Sequence, residues 1–411
     1  MNNSWTKTTL EEVCIRITDG AHASPKSVVS GLPMASVKDL TQFGINMETC
    51  RHISTNDFNK LVRQGCKPEV GDILISKDGA SALDTVCEMR HELNVVLLSS
   101  VAILKPNSNK ISSSFLHYFL DSETTRQYLK NGFITGAAIP RVILKDFKRC
   151  EIALPPLPTQ RKIASILSAY DDLIENNTRR IKILEEMAQA LYREWFVKFR
   201  FPGHEKMEMV ESELGMVPEG WEIKKLVNVC NILMGQSPKS EFYNDTGEGL
   251  PFHQGVTDFG DRFPIERMYC TVQNRVAETG DILVSVRAPV GRINISDKKI
   301  VIGRGLCAIR NKSGYQTFVF QQLKEKFKDE DSMGGGTIFK SVTKDDMHGI
   351  KFLVPPELLL KSFEEIMTPI FADLKNLTMK NANLRRTRDL LLPKLISGEV
   401  DVEKIDVLMA Q

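Results

Sequence analysis

The fold is decided by a helical stretch that occurs twice. Residues 163–195 read IASILSAYDDLIENNTRRIKILEEMAQALYREW, and residues 363–395 read FEEIMTPIFADLKNLTMKNANLRRTRDLLLPKL. In both stretches, apolar residues recur at alternating steps of four and three, which is the spacing of a coiled-coil seam. The first predicted seam consists of Ile163, Leu167, Tyr170, Ile174, Asn177, Ile181, Leu184, Ala188, Leu191 and Trp195. The second consists of Phe363, Met367, Ile370, Leu374, Leu377, Asn381, Leu384, Arg388, Leu391 and Leu395.

Two matched seams of equal length predict that the helices pair with each other. Helices of one chain that are separated by a globular segment most simply pair antiparallel, and at roughly 1.5 Å per residue each seam spans about 50 Å. Buried polar residues such as Asn177 and Asn381 are of the kind that fixes the register of such a pair. The alternative is that each helix packs on its own domain. Pro369 predicts either a kink or the first turn of the second helix.

The segments that precede the helices also repeat, at a distance of about 200 residues. Such self-similarity with only two copies indicates a duplicated module and excludes a solenoid. The matched stretches are Trp5-x4-Leu10-x2-Val13-Cys14 with Trp221-x4-Leu226-x2-Val229-Cys230, Gly71–Ser76 with Gly280–Ser285, Gly136–Asp146 with Gly335–Asp345, and Leu154–Pro156 with Val354–Pro356.

Each module is predicted to be β-rich, because short β-branched runs alternate with Gly, Pro and Asn/Asp turns. The runs are 72–76, 95–98, 101–104 and 281–286, and helical patterns occur around 112–130 and 315–328. The predicted class is α+β with an antiparallel or mixed sheet. We expect two similar globular domains in a pseudo-twofold arrangement, joined by an antiparallel coiled coil of two long helices. The predicted boundaries are 1–155, 156–200, 201–355 and 356–411.

Composition is that of an ordinary soluble protein, with 42% hydrophobic and 26% charged residues among 411. Because there is neither a long apolar run nor an apolar N-terminal stretch, we expect a cytoplasmic protein that does not enter a membrane. The eight cysteines are scattered without a C-x-x-C pair. They predict reduced, mostly buried thiols and argue against structural zinc or a disulfide framework.

Charge alone does not indicate a DNA-binding protein. Residues 1–155 contain 18 Lys and Arg against 16 Asp and Glu, and residues 213–355 contain 19 against 18. A protein that holds DNA phosphates unaided is usually more basic than this. If DNA is the ligand, the cations must be gathered on one face, or a partner must supply much of the backbone contact.

Motifs of catalysis are missing from the sequence. It contains no G-x4-G-K-[ST] phosphate loop and no Asn/Asp-Pro-Pro-aromatic motif of an amino-methyltransferase. The short stretch Pro218–Lys224 resembles a nuclease metal motif only superficially, and the seven histidines show no pairing with a nucleophile. We therefore predict no catalytic residue and no metal site.

Gly- and Pro-punctuated loops of both modules supply the candidate DNA contacts. Their Arg, Lys, His and Gln side chains have the reach and chemistry to meet base edges or phosphates. The simpler explanation is that the glycines serve turns and the cations are only solvated. The candidates are His22, Lys26, Lys38, Lys77 and Arg141 in the first module, and Gln236, Lys239, Gln254, Arg287, Arg292, Arg304 and Lys340 in the second.

The whole chain resembles the specificity subunit of type I restriction–modification systems. The resemblance rests on the repeat plan and on three stretches that occur in the expected order. These are LPPLPTQRKI at 154–163, WFVKFRFPG at 195–203 and ELGMVPEGW at 213–221. Each Gly-Asp-Ile-Leu-[Ile/Val]-Ser strand also looks like one found in that family's recognition domains.

The resemblance implies two target recognition domains, separated by central and distal conserved helices at about 157–199 and 357–396. Each domain would read one part of a bipartite, asymmetric target in double-stranded DNA, and the helices would set the spacer. Two modification subunits, which methylate adenine N6, would dock on exposed helix flanks, and restriction subunits would join them. S-adenosylmethionine, ATP and Mg²⁺ would belong to those partners, so this chain would bind no cofactor and would not be catalytic alone.

Two other classes of function stay open at the level of sequence. The chain could be an enzyme with an active site that no motif reveals, in which case the purified chain would turn over substrate. It could also be an interaction protein whose modules grip proteins instead of DNA. Sequence-selective DNA binding together with modification subunits would count against that alternative.

Overall fold

The computed structural model describes residues 5–135, 140–328 and 341–403. The chain forms two compact units, one of Met1–Asn177 with Lys380–Gln411 and one of Thr178–Met379. Each unit therefore contains one β-rich module together with part of both long helices. The boundaries expected from the sequence, which assign the helices to regions of their own, stay a prediction.

The first module consists of short strands and short helices. The strands are β1 (Thr6–Thr9), β2 (Cys14–Asp19), β3 (Leu32–Ala35), β4 (Leu40–Thr41), β5 (Gly44–Ile45), β6 (Arg51–Ile53), β7 (Ile73–Ser76), β8 (Val86–Glu88), β9 (Val96–Leu97), β10 (Val101–Pro106), β11 (Ile134–Thr135), β12 (Arg141–Val142) and β13 (Glu151–Leu154). The helices are α1 (Leu10–Val13), α2 (Thr55–Arg63), α3 (Ser113–Asp121), α4 (Glu123–Phe133) and α5 (Leu144–Arg149). The first long helix, α6 (Leu157–Tyr192), follows directly.

The second module repeats the main strands of the first and has fewer described helices. Its strands, with the preceding linker hairpin, are β14 (Met209–Ser212), β15 (Gly215–Pro218), β16 (Glu222–Lys225), β17 (Cys230–Met234), β18 (Tyr243–Asn244), β19 (Leu250–His253), β20 (Tyr269–Cys270), β21 (Val276–Ala277), β22 (Ile282–Ser285), β23 (Ile293–Ile295), β24 (Ile300–Ile302), β25 (Leu306–Asn311) and β26 (Lys351–Val354). Its helices are α7 (Leu226–Val229), α8 (Gln316–Lys326) and α9 (Lys344–Gly349), and the second long helix is α10 (Glu357–Ile396).

Both modules contain the same four-stranded antiparallel sheet. Its strand order is β2-β10-β7-β8 in the first module and β17-β25-β22-β23 in the second. A second sheet is mixed in each module, because β3 pairs parallel with β9 and β19 pairs parallel with β24. The prediction of two similar α+β domains is confirmed.

The two copies agree in register as well as in strand order. Ile75 and Asp19 both pair with Ala102 in the first module, and Val284 and Met234 both pair with Cys307 in the second. These register partners assign Asp19 and Met234 to equivalent positions. Residues of one module can therefore be compared with their counterparts in the other.

Both predicted long helices form, and each is much longer than the helices of the modules. The helix α6 has 36 residues and continues into a π-helical turn at Arg193–Val197. The helix α10 has 40 residues and begins at Glu357, twelve positions before Pro369. Pro369 therefore lies inside the helix, and the expectation that it could mark the first turn is wrong. Met367 and Ile370, which flank Pro369, pack in one apolar cluster of the second unit, and this packing holds the helix through the proline.

The two long helices pair antiparallel within each unit. In the first unit, Asn177 donates a hydrogen bond to Asn381 over 2.9 Å, and Arg388 pairs with Asp171. In the second unit, Ile181 packs against Leu377. A step forward in α6 is thus matched by a step backward in α10. All predicted seam positions are buried or partly buried.

The outer parts of the pair also belong to the module cores. In the first unit, Ile163 and Leu167 share one apolar cluster with Phe115 and Phe147 of the module. In the second, Trp195 and Phe363 share a cluster with several module residues. The helices therefore pair with each other and pack on the modules, so the two alternatives drawn from the sequence hold together.

The cysteines agree with the expectation of mostly buried thiols. All eight thiols are free, and all except the partly buried Cys14 are buried. Among the described residues, no helix combines the length and the apolar character needed to cross a membrane.

Candidate nucleic-acid interface

Each module gathers several loops at the same end of its four-stranded sheet. In the first module the loops are Gly20–His22, Lys77–Gly79, Leu98–Ser100 and the strand start at Arg141, which we call the first loop cluster. In the second module they are Gly235–Lys239, Val286–Ala288, Gly303–Gly305, Gln254–Gly255 and Ser341, which we call the second loop cluster.

Matched backbone hydrogen bonds hold the two clusters together. In the first, the N–H groups of Gly20, Ala21 and Lys77 donate to Val101, Leu97 and Ser100. In the second, the N–H groups of Gly235, Gln236 and Val286 donate to the carbonyls of Leu306, Ile302 and Gly305. An isolated antiparallel β-bridge joins Asp78 to Arg141 in the first cluster, and another joins Arg287 to Ser341 at the equivalent place in the second. These matched hydrogen bonds form one backbone arrangement, which we call the frame. The frame carries a different set of side chains in each module.

A glycine at the entrance of each cluster allows the loops to approach closely. A Cβ on Gly20 would lie 2.2 Å from the Leu97 carbonyl oxygen, and one on Gly235 would lie 2.1 Å from that of Gly303. No side chain fits at either position without displacing backbone. The glycines are therefore required by the frame, which supports the turn explanation for these two residues.

The first loop cluster is built around a buried cation. Lys77 is only 5% exposed, and its Nζ atom lies 3.3 Å from Asp19 and 3.4 Å from Asp78. As a DNA contact, Lys77 would have to leave both carboxylates, and a buried carboxylate without its cation is strongly unfavourable. The structure places it underneath the candidate surface, where it neutralises the two acids.

The same two carboxylates each hold an exposed candidate residue. The ring Nε2 of His22 lies 3.2 Å from Asp19, and Nε of Arg141 donates to Asp78 over 3.0 Å. The side chains of His22 and Arg141 are largely exposed. Their positions are therefore set from below by the buried Asp19–Lys77–Asp78 chain of charges.

The other two candidates of the first module lie beside this network. Lys38 is exposed on the 3₁₀ turn Val37–Asp39, whose Asp39 side chain accepts hydrogen bonds from Ser36. Lys26 is exposed in the segment that Arg51 ties down through the Pro25 carbonyl over 2.7 Å. Neither is joined to the cluster by a side-chain contact of its own that the structure describes.

Five candidates of the second module share its loop cluster. All five side chains are exposed, and their loops are joined by the hydrogen bonds given above; they are Gln236, Lys239, Gln254, Arg287 and Arg304. The Arg304 backbone N–H also donates to Ser237 Oγ, and the Gln254 N–H donates to Asp258. Arg, Lys and Gln are side chains that read guanine and adenine edges in the major groove.

Arg292 lies away from the second loop cluster. Arg292 is exposed at a cleft of about 250 Å³ that is also lined by Asp261, Arg262 and Lys324. Lys340 lies outside the described residues.

His253, the last residue of β19, lies next to the second loop cluster and has a buried ring whose two nitrogens have no hydrogen-bond partner in the described part of the chain. It is 1% exposed, and its Nδ1 lies 3.9 Å from Asp258, beyond hydrogen-bond distance. Burial lowers its pKa, which favours the neutral ring. The counterpart in the first module is Ala35, because the Leu98 and Gly303 N–H groups donate to Ala35 and His253 respectively.

Sequence reasoning missed the acidic half of these networks. Asp19 and Asp78 position candidate cations, and Asp258 and Ser237 bind candidate loops, whereas the predicted contacts are only basic and amide side chains. The signal for Asp78 was present, since aligning Gly71–Ser76 with Gly280–Ser285 places Asp78 at the position of Arg287. Over the described part of the chain, no group of three His, Cys, Asp or Glu side chains is placed to bind a metal ion.

Comparison with known proteins supplies the remaining evidence. Residues 2–186 and 218–381 match the family model described as type I restriction modification DNA specificity domain. The chain is 30% identical over 408 residues to a Methanocaldococcus jannaschii protein named "Putative type I restriction enzyme MjaX specificity subunit", covering 97% of this chain and 94% of that protein. It is 28% identical over 315 residues to the type I restriction enzyme MjaIX specificity subunit of the same organism, covering 72% and 71%.

One solved structure has the same fold. It is the crystal structure of the S subunit of a type I restriction–modification system from M. genitalium, with a TM-score of 0.61 and 18% sequence identity over 96% of this chain and 97% of that one. At this identity the likeness concerns the fold alone.

Proposed function

The chain belongs to the family of type I restriction–modification DNA specificity subunits, and from that premise we propose that each loop cluster reads one part of a bipartite, asymmetric target in double-stranded DNA. The observation that carries this proposal is the repeated backbone frame with unlike side chains. A single frame presented twice suits a ligand whose two parts have the same backbone geometry and different base edges.

The exposed side chains of the two clusters have the chemistry that base readout needs. Arg287 and Arg304 can donate two hydrogen bonds to guanine, and Gln236 and Gln254 can pair with adenine. In the first cluster, His22 and Arg141 are the exposed donors. We propose that these residues, with Lys26, Lys38, Lys239, Arg292 and Lys340, make the contacts to bases and phosphates.

We further propose the family's division of labour for the parts of this chain. Residues 1–155 and the globular part of 201–355 would be the target recognition domains, and 156–200 and 356–411 would hold the central and distal conserved helices. The paired helices would set the spacer and dock two modification subunits, which methylate adenine N6. Restriction subunits would join that complex in the cytoplasm. Catalysis and its cofactors would lie in those partners.

The decisive experiment is single-molecule sequencing of adenine methylation in the source organism, with and without this gene. Loss of one split, asymmetric methylated motif upon deletion would establish the recognition role and reveal both half-sites. If no motif disappears while the modification partner is expressed, the proposal fails, and an interaction role gains support. Turnover by the purified chain alone would instead indicate an enzyme.

The spacer role has a separate test that the helix contacts sharpen. Asn177 faces Asn381, so deletion of Ile174–Arg180 from α6 is matched by deletion of Thr378–Leu384 from α10. Removing both heptads should shorten the pair by about 10 Å and keep its register. The methylated motif should then keep both half-sites with a shorter spacer. An unchanged spacer in a folded, active variant would contradict the ruler role.

A further inference from the structure

In the first unit, two polar pairs join α6 and α10. Asn381 is 3% exposed; its Oδ1 accepts from Asn177 over 2.9 Å, and its Nδ2 donates to the Ile174 carbonyl over 3.3 Å. All three residues belong to the first unit. A buried amide thus has both of its polar atoms satisfied by the opposite helix.

A buried ion pair lies two turns further along the same pair of helices. The buried carboxylate of Asp171 pairs with Arg388 and accepts a hydrogen bond from the Tyr118 hydroxyl over 2.6 Å. Arg388 also pairs with Asp389. Here too the charge of α6 is neutralised by a residue of α10.

The duplication provides an internal reference for these positions. The helices begin at Leu157 and Glu357, so equivalent positions differ by about 200 in number. The equivalents of the four polar residues are apolar and lie in the second unit: Leu377 for Asn177, Ile181 for Asn381, Phe371 for Asp171 and Ala188 for Arg388. Ile181 packs against Leu377, and Phe371 lies edge-on to Phe320 with ring centroids 5.3 Å apart.

This arrangement has a consequence for pairing between two copies of the chain. Because the helices are equivalent by descent, α6 of one copy could pair with α6 of another in the same register. Asn177 would then face Ile181, and Asp171 would face Ala188. In a pair of two α10 helices, Asn381 would face Leu377 and Arg388 would face Phe371. Each of these polar groups would lose its partner on the opposite helix, which is strongly unfavourable.

We propose that Asn177–Asn381 and Asp171–Arg388 form a pairing code, which makes α6 accept α10 and reject a second α6. The code keeps two unlike modules on one pair of helices and excludes dimers in which like helices of two copies pair. Single buried asparagines select partner and register in other coiled coils by the same physics. The inference concerns self-association and does not depend on DNA recognition.

The test moves one asparagine between the helices of the full chain. The variant I181N/N381I has the composition of the natural chain, but both asparagines lie on α6 and face each other only in a pair of two α6 helices. Its control is N177L/I181N/L377N/N381I, again of unchanged composition, in which an asparagine pair is restored between α6 and α10 one layer away. The Asp171–Arg388 pair is retained in both.

Self-association is measured by sedimentation equilibrium over a range of concentrations. We expect I181N/N381I to form a discrete dimer with an association constant at least tenfold above that of the control. The control should behave like the natural chain. Equal association constants for the two folded variants would overturn the proposal.

A second pair of variants decides the matter if I181N/N381I does not fold. N177L/L377N places both asparagines on α10 and should dimerise in the same way. N177L/N381I contains neither asparagine, so nothing at these positions favours pairing of α6 with α10. Its association constant should exceed that of the natural chain, by a smaller factor than that of N177L/L377N. If N177L/N381I self-associates no more than the natural chain, the asparagines are not a pairing code.

Discussion

The two loop clusters share one backbone arrangement and differ in the charge of their side chains. At the four equivalent positions, the first cluster has a linked set of charges and the second has mostly uncharged residues. These sets are Asp19, Lys77, Asp78 and Arg141 in the first, and Met234, Val286, Arg287 and Ser341 in the second.

The difference shows which part of a cluster is constant and which part is variable. The constant hydrogen bonds join N–H groups to carbonyls, so they make no demand on the side chains of the loops. Side chains at the same positions can then be exchanged between a salt-bridge network and apolar packing. The backbone hydrogen bonds determine where a side chain is placed. The neighbouring side chains determine how rigidly it is held there.

Removal of the buried cation Lys77 should cause the largest loss of stability. The substitution Lys77→Met removes the buried cation between Asp19 and Asp78, which then keep only the exposed His22 and Arg141 as partners. We expect a loss of about 3 kcal/mol in the stability of the first unit. Hydrogen exchange of strands β7 and β10 would measure this loss. The equivalent strands β22 and β25 serve as the internal control and should not change.

The charged residues Asp19 and Lys77 can be replaced by the apolar residues at the equivalent positions of the second module. The double substitution Asp19→Met with Lys77→Val installs the residues of Met234 and Val286. Because a buried ion pair and an apolar pair of similar size are often equally stable, most of the loss should be recovered. If the double variant is as unstable as Lys77→Met alone, the two modules are not interchangeable at this position.

The glycines of the frame should show equal effects in both modules. Gly20→Ala and Gly235→Ala each place a Cβ little more than 2 Å from a carbonyl oxygen. We expect each to destabilise its own unit by about 2–3 kcal/mol through forced backbone shifts. Thermal unfolding followed by hydrogen exchange distinguishes the units. Gly255→Ala is the matched control, because its Cβ meets no atom within 4 Å and its φ of −172° is extended backbone, so it should cost little stability.

Loss of an exposed arginine should affect DNA recognition and leave stability nearly unchanged. In the assembled complex, Arg287→Gln should weaken binding of the target by about 2 kcal/mol and relax selection at one position of one half-site. Arg141→Gln should weaken it by about 1 kcal/mol, because Arg141 is already engaged by Asp78. Competition binding with single-position variants of the target would measure both. Equal relaxation of both half-sites by one substitution would contradict the assignment of one cluster to each.

The smallest effect is expected for the exposed contact between His22 and Asp19. His22→Ala removes a contact with Asp19 that is largely open to solvent, so the stability of the first unit should fall by at most about 0.5 kcal/mol. Urea unfolding would show this. A loss comparable with that of Lys77→Met would mean that His22 is part of the buried network.

Sequence patterns predicted the architecture well because they record burial. The alternation of four and three predicted both long helices, and the seam positions are buried or partly buried throughout. The end of the second seam deviates, since Leu392 is buried and Leu391 only partly, because α10 there faces the module core as well as α6. The predicted helix around 112–130 is two helices that break at Ser122.

The candidate site was harder to predict because a loop's neighbours are distant in sequence. Lys77 has the same reach and chemistry as Lys38, and nothing local shows that one is buried and the other exposed. The carboxylates that enclose Lys77 come from the end of β2 and from the loop after β7, and only the folded sheet brings Asp19 beside Lys77. Lys340 stays a prediction.

The sequence by itself determined the duplication, the α+β class and the pair of long helices, because each depends on periodicity or repetition along the chain. The tertiary structure alone decided which polar residues are partners. Asn177 meets Asn381, Asp171 meets Arg388, and Lys77 meets Asp19. The strength of these interactions depends on distance and burial in the folded chain. Neither quantity can be read from the order of the residues.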